Sequence, residues 1–311
     1  MRSRSGKAQR LEQIARLYYE ENKTQEAIAS IMNISRPLVS RMLSEAHKLG
    51  IVEIKIHSSD QSASLLMNQL KKHFDIEGGI ILPDSGNNHV VNISLANATM
   101  QFIKQMGGGR VGIGWGHIIG TLVDVIEESA PNKGFISDIC PLVGNFSVTI
   151  RNYHSNENVR IIAHQTKARP HYLYSPAFVE TQQEFELLQQ TEHYGTVFRE
   201  WSRLDIAVVN IGNHPSTPDF ATVARYGELL SKHKAVGRLV AYYFNEEGEI
   251  IHSDSDYAIQ IPISLLKKCN ITIGVCSANL GSKALIGALN TGLFTHIIAG
   301  ESLVKDILTK V

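Results

Sequence analysis

The segment Gln25–Ser44 combines a small residue, a turn residue and regularly spaced apolar residues. Counted from Gln25, the small residue is Ala29 at the fifth position and the turn residue is Asn33 at the ninth. Apolar side chains stand where one helix would pack on another, at Ile28, Met32, Ile34, Val39 and Met42. A helix-turn-helix needs a close crossing, a turn that tolerates positive φ, and this apolar pattern. The segment therefore predicts a DNA-binding helix-turn-helix, although an ordinary helical hairpin meets some of these requirements by chance.

The side chains expected to reach DNA lie near the starts of the two predicted helices. The recognition helix would be Arg36–Leu49, because the early exposed residues of this helix enter the major groove. Arginine and serine bind bases or phosphates there, and the start of the preceding helix reaches phosphates. For Arg41 the alternative is an ion pair with Glu45, one turn further along. The predicted DNA-binding residues are Thr24, Gln25, Ser35, Arg36, Pro37, Ser40 and Arg41.

A second candidate site lies in the glycine-rich segment Gly107–Thr121. Its pattern predicts an apolar strand that runs through a tight turn into a helix. Glycines let the backbone approach a ligand closely, and the N–H groups at a helix start favour anions. A tight crossover that binds nothing has the same pattern. From Gly112 the glycines are spaced G-x-G-x-G rather than G-x-G-x-x-G, so a nicotinamide dinucleotide is not expected.

The elements that would position these residues form a helical segment followed by an α/β segment. Residues 8–57 are expected to form three helices and a strand, Ile51–Ile56, as a wing or hinge. Apolar runs then alternate with helices, which is typical of a mostly parallel sheet covered on both faces. The expected strands are Gly79–Leu82, Arg110–Gly114, Ile136–Leu142, Ile206–Ile211, Arg238–Phe244 and Ile271–Cys276. The expected helices are Val90–Gln105, His117–Glu128, Ala177–Gln190, Phe220–Lys232 and Lys283–Asn290.

Charge separates the first 57 residues from the remainder. The 311 residues hold 30 Lys and Arg against 30 Asp and Glu, and this neutral total alone argues against a nucleic-acid-binding protein. Residues 1–57, however, carry a formal charge of +4, and the remainder carries −4. We therefore predict a helix-turn-helix DNA-binding domain at 1–57 and an effector-binding and oligomerisation domain at 58–311.

Cysteine usage and apolar run lengths indicate the compartment. The three cysteines, Cys140, Cys269 and Cys276, do not suit a disulfide scaffold or a cysteine-based zinc site, and they fit a reducing cytoplasm. No apolar region follows the basic N-terminal residues, so a signal peptide is not expected. No stretch approaches the ~18 apolar residues of a membrane span. The expected location is the cytoplasm, without a membrane partner.

Nearly the whole chain resembles the SorC family (SorC/DeoR type) of bacterial transcriptional regulators. The most specific part is LYYEENKTQEAIASIMNISRPLVSRMLSEAHKLGIVEIKI, which runs from residue 17 to residue 56. Later landmarks follow in the family's order: VGIGWG at Val111–Gly116, PLVG at Pro141–Gly144, SPAFV at Ser175–Val179, DIAVVNIG at Asp205–Gly212 and AVGRLVAYYFNEEG at Ala235–Gly248. The final stretch, Lys283–Leu308, is similar in layout.

This resemblance implies a Rossmann-like domain with the fold of ribose-isomerase-type and glucosamine-phosphate-deaminase-type enzymes, used for sensing rather than catalysis. It implies a sugar, polyol or phosphosugar effector, operator DNA as a partner, and a homodimer or homotetramer. The chain departs from the family pattern at Ile118, Asn245 and Gly300, where relatives usually carry a hydroxyl residue or acids. These departures indicate a different effector or a degraded sensor.

The candidate effector contacts have two sources. Ligands of open α/β sheets bind at the carboxyl ends of strands, which predicts Gly114, Trp115, Gly116, His117, Asn145, Asn210 and Asn213. The resemblance adds Asn245, Lys283 and Glu301. The alternatives are core packing for Trp115, helix capping for His117 and a solvated surface charge for Lys283.

The predicted function is a DNA-binding regulator, repressor or activator, of a carbohydrate-utilisation operon. The alternative is an enzyme resembling sugar-phosphate isomerases or deaminases, with an appended DNA-binding head. The histidines lack metal-ligand spacing, and no serine or cysteine lies in a G-x-S-x-G elbow. We therefore expect no catalytic residue, no metal and no cofactor.

Overall fold

The computed structural model describes residues 2–49, 51–52, 60–84, 87–129, 134–146, 150–216 and 225–311. Contacts divide the chain into two units. The smaller unit comprises Met1–His57 with Ser85–Val90, and the larger comprises Ser58–Asp84 with Val91–Val311. The assignment of DNA binding to the first segment and of effector binding and oligomerisation to the second stays a prediction.

The smaller unit contains a helix-turn-helix. Its helices are α1 (Arg2–Tyr19), α2 (Gln25–Met32) and α3 (Arg36–Lys48). Thr24 caps α2, because its side chain accepts a hydrogen bond from the amide of Ala27 at 3.1 Å. Asn33 ends α2 with a φ of +51°, which asparagine adopts more readily than most residues. The residues buried between these helices include Leu11, Ile14, Ile28, Val39 and Leu43. The helix-turn-helix predicted from residue spacing is confirmed.

The larger unit is built on one sheet. Its strands are β1 (Gly78–Leu82), β2 (Gly109–Ile113), β3 (Ile136–Pro141), β4 (Arg169–Pro170), β5 (Ile206–Asn213), β6 (Gly237–Leu239), β7 (Tyr242–Phe244), β8 (Ile250–Ile251), β9 (Ile271–Cys276) and β10 (His296–Gly300). Seven of them are parallel in the order β1-β10-β9-β5-β2-β3-β4. Strands β6, β7 and β8 continue from the end of β5 as an antiparallel meander.

Helices cover both faces of this sheet. They are α4 (Asp60–His73), α5 (Asn88–Gln105), α6 (His117–Glu128), α7 (Ser155–Thr166), α8 (Gln182–Gln189), α9 (Glu192–Trp201), α10 (Leu229–Lys232), α11 (Ile263–Leu266), α12 (Ser282–Asn290) and α13 (Glu301–Leu308). Successive side chains of β5 point to opposite faces of the sheet and enter two different buried clusters, so both faces of the sheet are covered. Ile206 and Val208 pack with α5, α6 and α7, whereas Ala207, Val209 and Ile211 pack with α4, α9, α12 and α13. The predicted α/β fold class is confirmed.

The direction in which the chain moves across the sheet reverses between β2 and β5. From β2 the chain continues through β3 to β4, whereas β9, β10 and β1 lie on the other side of β5. Opposed crossovers leave a crevice at the carboxyl ends of the two strands. Ile113, the last residue of β2, pairs with Val208, whereas β5 continues to Asn213. The part of β5 after Val208 therefore extends beyond β2 and lies beside the turn that follows β2.

The expected strand Arg238–Phe244 is instead a hairpin. Strands β6 and β7 pair antiparallel, with Leu239 opposite Tyr242. The two residues between them are Val240 and Ala241, and Val240 has a φ of +51°. This local reversal has no glycine or asparagine to mark it, so the apolar run is indistinguishable from one strand in the sequence.

The expected helix Ala177–Gln190 begins only at Gln182, because the preceding residues are extended. The amide of Ala177 donates to the carbonyl of Asn145 at 2.7 Å, and Phe178 forms an antiparallel bridge with Ala258.

Two further expectations lie partly outside the described residues. Ile51 and Val52 form a bend rather than the start of a strand, and residues 53–56 are not described. Of the expected helix 220–232, residues 220–224 are likewise not described. Among the described residues, no helix has both the length and the apolar character needed to cross a membrane.

Candidate DNA-binding and effector-binding sites

One face of α3 carries most of the residues predicted to contact DNA. Arg36 and Ser40 are one turn apart, as are Pro37 and Arg41. The predicted residues with exposed side chains are Thr24, Ser35, Arg36, Pro37, Ser40 and Arg41. The opposite face of α3 is buried through Val39, Met42, Leu43 and Ala46. The helix thus presents two arginines and a hydroxyl on a face that the protein does not use for packing.

The alternative partner of Arg41 is engaged elsewhere. Glu45 pairs with Lys7, whose Nζ lies 2.5 Å from the carboxylate. Among the described residues, Arg41 makes no ion pair. Gln25 differs from the other predicted residues, because it is half-buried and hydrogen-bonds to Tyr18.

The turn after β2 closes tightly against β5. The amide of Gly114 donates to the carbonyl of Val208 at 2.9 Å, and the amide of Gly116 donates to that of Asn152 at 3.2 Å. Gly116 has a φ of +115°, and a Cβ at this position would lie 2.5 Å from Nδ2 of Asn210. Both the backbone conformation and the approach of Asn210 therefore require glycine.

Two polar side chains beside this turn are open to a ligand. The side-chain amide of Asn210 is half-buried, and no other described residue hydrogen-bonds to it. His117, the first residue of α6, is exposed. Its helix has no side-chain cap, because Gly116 occupies the N-cap position. The structure thus brings together Gly114, Gly116, His117 and Asn210 of the predicted contacts.

Trp115 belongs to the interior. Its side chain is 4% exposed, and Nε1 donates to the carbonyl of Val240 at 2.9 Å. Its ring meets those of Phe146, Tyr153 and Phe178 at centroid distances between 5.6 and 6.0 Å. The space beside it is about 10 Å³, which accommodates roughly one water molecule. Trp115 therefore shapes the wall and offers no free indole face to a sugar.

A larger, open cavity of about 840 Å³ adjoins these rings. It shares Phe146, Phe178 and Arg225 with the small space beside Trp115. Tyr257 adds another ring, and Glu180 adds a carboxylate. The volume falls within the usual range for small-molecule sites. Aromatic rings next to a few fixed polar groups are suited to a carbohydrate, which has both apolar C–H faces and hydroxyls.

A buried ion pair borders this larger cavity. Nε of Arg225 donates to Oδ1 of Asp256 at 2.8 Å, and Nη2 donates to the carbonyl of Ala241 at 3.1 Å. The hydroxyl of Tyr226 donates to Oδ2 of Asp256 at 2.6 Å. Burial, together with the charge of Asp256, raises the pKa of Tyr226 far above its ordinary value. The phenol therefore stays protonated and keeps Asp256 in place.

Asn145 lines the larger cavity, but its side chain mainly joins two segments. Its Oδ1 accepts a hydrogen bond from the amide of Asn156 at 3.1 Å, and its Nδ2 donates to the carbonyl of Leu173 at 3.4 Å. Its backbone pairs with Ser175 and Ala177. Asn145 thus holds one wall of the cavity in position.

Asn213 and Asn245 lie apart from the cavity and serve local structure. Oδ1 of Asn213 accepts from the amide of Gly281 at 2.8 Å, and its Nδ2 donates to the carbonyl of Asn279 at 3.0 Å. Asn245 is buried, and it bonds both the amide and the carboxylate of Glu249 at 2.8 Å. Both amides thus bond neighbouring segments of the protein, and their role as effector contacts stays a prediction.

Lys283 and Glu301 also have local partners. Lys283 is exposed and lies 3.4 Å from the carboxylate of Glu246. Glu301 pairs with Lys305 at 2.8 Å and accepts a hydrogen bond from Ser62 at 2.9 Å. These two contacts lower the pKa of Glu301.

The sequence reasoning missed the residues that define the larger cavity. Arg225 and Asp256 stand 31 positions apart, so no local pattern joins them. Phe178 lies in the segment Ser175–Val179, and its aromatic side chain was the one available signal. Because a helix was expected from Ala177, Phe178 was not considered as part of a binding site.

A separate polar cluster joins β3 and α9. Nε2 of His171 lies 3.0 Å from Asp138, and Nδ1 lies 3.9 Å from Glu200. These three side chains have ligand atoms close enough to hold a cation. However, Arg203 pairs with Glu200, and Arg169 lies 3.9 Å from Asp138, so arginines already balance both carboxylates. Burial acts to raise the pKa of Asp138, but the hydrogen bond and charge of His171 help lower it overall.

A helix-turn-helix with an exposed arginine face and an α/β unit with a ligand-sized cavity are the features of a transcriptional regulator with a ligand-binding domain. The family model described as "Putative sugar-binding domain" matches residues 61–309. The chain belongs to this sugar-binding domain family.

Known relatives extend over both units. The sorbitol operon regulator of Klebsiella pneumoniae is 25% identical over 308 residues, which cover 96% of each chain. The deoxyribonucleoside regulator of Bacillus subtilis is 25% identical over 310 residues, covering 94% of this chain and 96% of the relative. The crystal structure of full-length SorC from Klebsiella pneumoniae has a TM-score of 0.73 at 22% identity, covering 96% of this chain and 98% of that one. The expected resemblance to SorC-type regulators is confirmed, and the enzyme alternative has no support.

Proposed function

We propose that the chain binds operator DNA through the exposed face of α3 and that a carbohydrate bound in the larger unit changes this affinity. The observation that carries the proposal is the placement of Arg36 and Arg41 on an unpacked helix face, in a member of the sugar-binding domain family. Arg36, Pro37, Ser40 and Arg41 would contact bases or phosphates, with Thr24, Gln25 and Ser35 at the edge of the interface.

The protein acts as a cytoplasmic sensor rather than a catalyst. It assembles as a dimer or tetramer, so that two α3 helices enter major grooves about 34 Å apart, or a multiple of that distance. The carbohydrate binds among Gly114, Gly116, His117 and Asn210 and in the adjoining larger cavity. The relatives named as operon regulators support this assignment.

The DNA contacts can be tested with an operator selected from a random DNA pool by the full-length protein. Fluorescence anisotropy would then measure affinity for wild type, Arg36→Ala and Arg41→Ala. We expect each variant to lose about 1–3 kcal/mol of binding free energy. Arg160→Ala is the matched control, because Arg160 is an exposed arginine of the larger unit that pairs with Glu157. Unchanged affinity in both α3 variants would refute the role of α3.

Sensing is tested on the same operator. A thermal-shift screen of sugars, polyols and their phosphates identifies a ligand that stabilises the folded protein. That ligand must change operator affinity by the same factor by which the operator changes ligand affinity. Equal operator affinity at zero and saturating ligand would eliminate the sensing role.

A further inference from the structure

Arg225 is a buried cation with unused hydrogen-bond donors. A guanidinium carries five N–H donors in a fixed planar fork. Nε and Nη2 bind Asp256 and the carbonyl of Ala241. Among the described residues, Nη1 has no hydrogen-bond partner. Arg225 lines the larger cavity and its side chain is only 6% exposed, so a ligand there would meet a guanidinium whose Nη1 donors are unused by the described residues.

Aromatic rings fix this guanidinium and form the rest of the wall. Its central carbon lies 3.9 Å from the centroid of the Phe178 ring. Phe146 packs edge-on against Phe178 at 5.4 Å, and Tyr257 lines the same cavity. A ligand here meets flat apolar surfaces beside the two N–H donors of Nη1. Carbohydrates fit this combination, because C–H groups stack on rings while adjacent hydroxyls accept from one nitrogen.

The charges around the cavity cancel. Arg225 is neutralised by Asp256, which lies 2.6 Å from Nη2. Arg238 lines the small adjoining space, and Glu180 lines the larger cavity. The formal charge of these four described groups is zero. A phosphate group, which carries up to two negative charges, would therefore find no net positive charge to offset its loss of water.

The start of α8 reaches the cavity, but a carboxylate of the protein already lies at this helix start. The side chain of Thr181 accepts a hydrogen bond from the amide of Glu184 at 3.2 Å. The carboxylate of Glu184 in turn accepts from the amides of Glu180 and Thr181 at 3.1 and 3.2 Å. This capping box places a carboxylate where a helix start would otherwise attract an anion. It is a second reason why the cavity disfavours phosphate.

We propose that the larger cavity binds an uncharged sugar or polyol, and that Arg225 selects it by donating from Nη1 to the ligand's hydroxyls. Asp256 and Tyr226 position Arg225 and cancel its charge. This inference rests on the proposed sensing function and narrows its effector class, because phosphosugars are excluded from the site.

The test uses matched pairs of compounds that differ only in a phosphate: sorbitol and sorbitol 6-phosphate, fructose and fructose 6-phosphate, and ribose and ribose 5-phosphate. Calorimetric titration of the full chain should find an uncharged member that binds at least about tenfold more tightly than its phosphorylated partner. Tighter binding of a phosphorylated member would overturn this inference but leave the sensing function intact. Binding of none of the six would overturn both.

Two variants examine the role of Arg225 itself. Arg225→Lys keeps the charge beside Asp256 but removes the Nη1 group, so affinity for the uncharged ligand should fall about 10- to 100-fold. Arg160→Lys, the control, should leave it unchanged. Asp256→Asn uncovers the charge of Arg225 and should shift preference toward the phosphorylated partner by about tenfold. Melting curves identify any variant that does not fold. If Arg225→Lys does not fold, Asp256→Asn still gives an independent test. Full affinity in folded Arg225→Lys, or unchanged preference in Asp256→Asn, would refute the role of Arg225.

Discussion

Replacing Gly116 by alanine should destabilise the larger unit by about 2–4 kcal/mol, the sum of backbone strain and a steric contact. The backbone there has φ +115° and ψ −179°, a region almost confined to glycine, which costs other residues about 1–3 kcal/mol. The added Cβ would lie 2.5 Å from Nδ2 of Asn210, and the three atoms nearest to it all belong to that side chain. Displacing or compressing this amide adds about 1 kcal/mol or more.

Urea unfolding followed by tryptophan fluorescence measures this loss, because both tryptophans, Trp115 and Trp201, lie in the larger unit. Gly107→Ala is the control: its φ is +87°, yet a Cβ there meets nothing within 4 Å, so only about 1–2 kcal/mol of backbone strain is expected. Adding Asn210→Ala to Gly116→Ala should recover about 1 kcal/mol, since the steric contact disappears. If Gly116→Ala costs no more than Gly107→Ala, or Asn210→Ala recovers nothing, the reasoning is wrong.

Three further outcomes follow from local chemistry. Thr24→Ala should reduce the stability of the smaller unit by about 1 kcal/mol through loss of the α2 cap. Thermal circular dichroism measures this loss, with Thr24→Ser, which keeps the hydroxyl, as the control. Equal losses of stability in both variants would contradict the role of Thr24 as a cap. Burial raises the pKa of the Cys140 thiol, and it raises the pKa of the Cys276 thiol to about 12. Neither cysteine should therefore react with a thiol reagent until the protein unfolds. Rapid labelling of Cys140 or Cys276 in the native protein would contradict this prediction. The pKa of Asp138 is lowered in the folded state, so its contribution to stability is present above the unfolded pKa of about 3.9 and is lost as the pH falls through the lower folded value. Asp138→Asn should flatten this acid dependence of the free energy of unfolding, and an unchanged dependence would be contrary evidence.

The elements decided by local patterning were predictable. Helix α6 has the bounds expected from sequence, because Ile118, Ile119 and Leu122 recur on one side and bury that side. The helix-turn-helix was equally accessible, since its requirements at Ala29 and Asn33 are set within twenty residues. In both cases the residues that decide the structure are neighbours in the chain.

The larger cavity could not be predicted in this way. Arg225, Asp256 and Phe178 come from three distant segments, and only folding places the guanidinium over the ring. Asn245 illustrates the same limit. It is predicted as an effector contact from the resemblance alone, and the sequence did not show that its side chain bonds the amide and the carboxylate of Glu249.

The turn between β6 and β7 holds two key side chains through its backbone alone. The indole of Trp115 donates to the carbonyl of Val240, and the guanidinium of Arg225 donates to that of Ala241. Every amino acid supplies a carbonyl, so the identity of these two residues does not decide whether either acceptor exists. Packing restricts them instead, because Val240 and Ala241 are 4% and 3% exposed and belong to the core. Glycine at position 240 would even relieve the positive φ that valine tolerates poorly. Descendants of this gene can therefore exchange these two residues for others that fit the core, while both carbonyl acceptors beside the cavity are inherited unchanged.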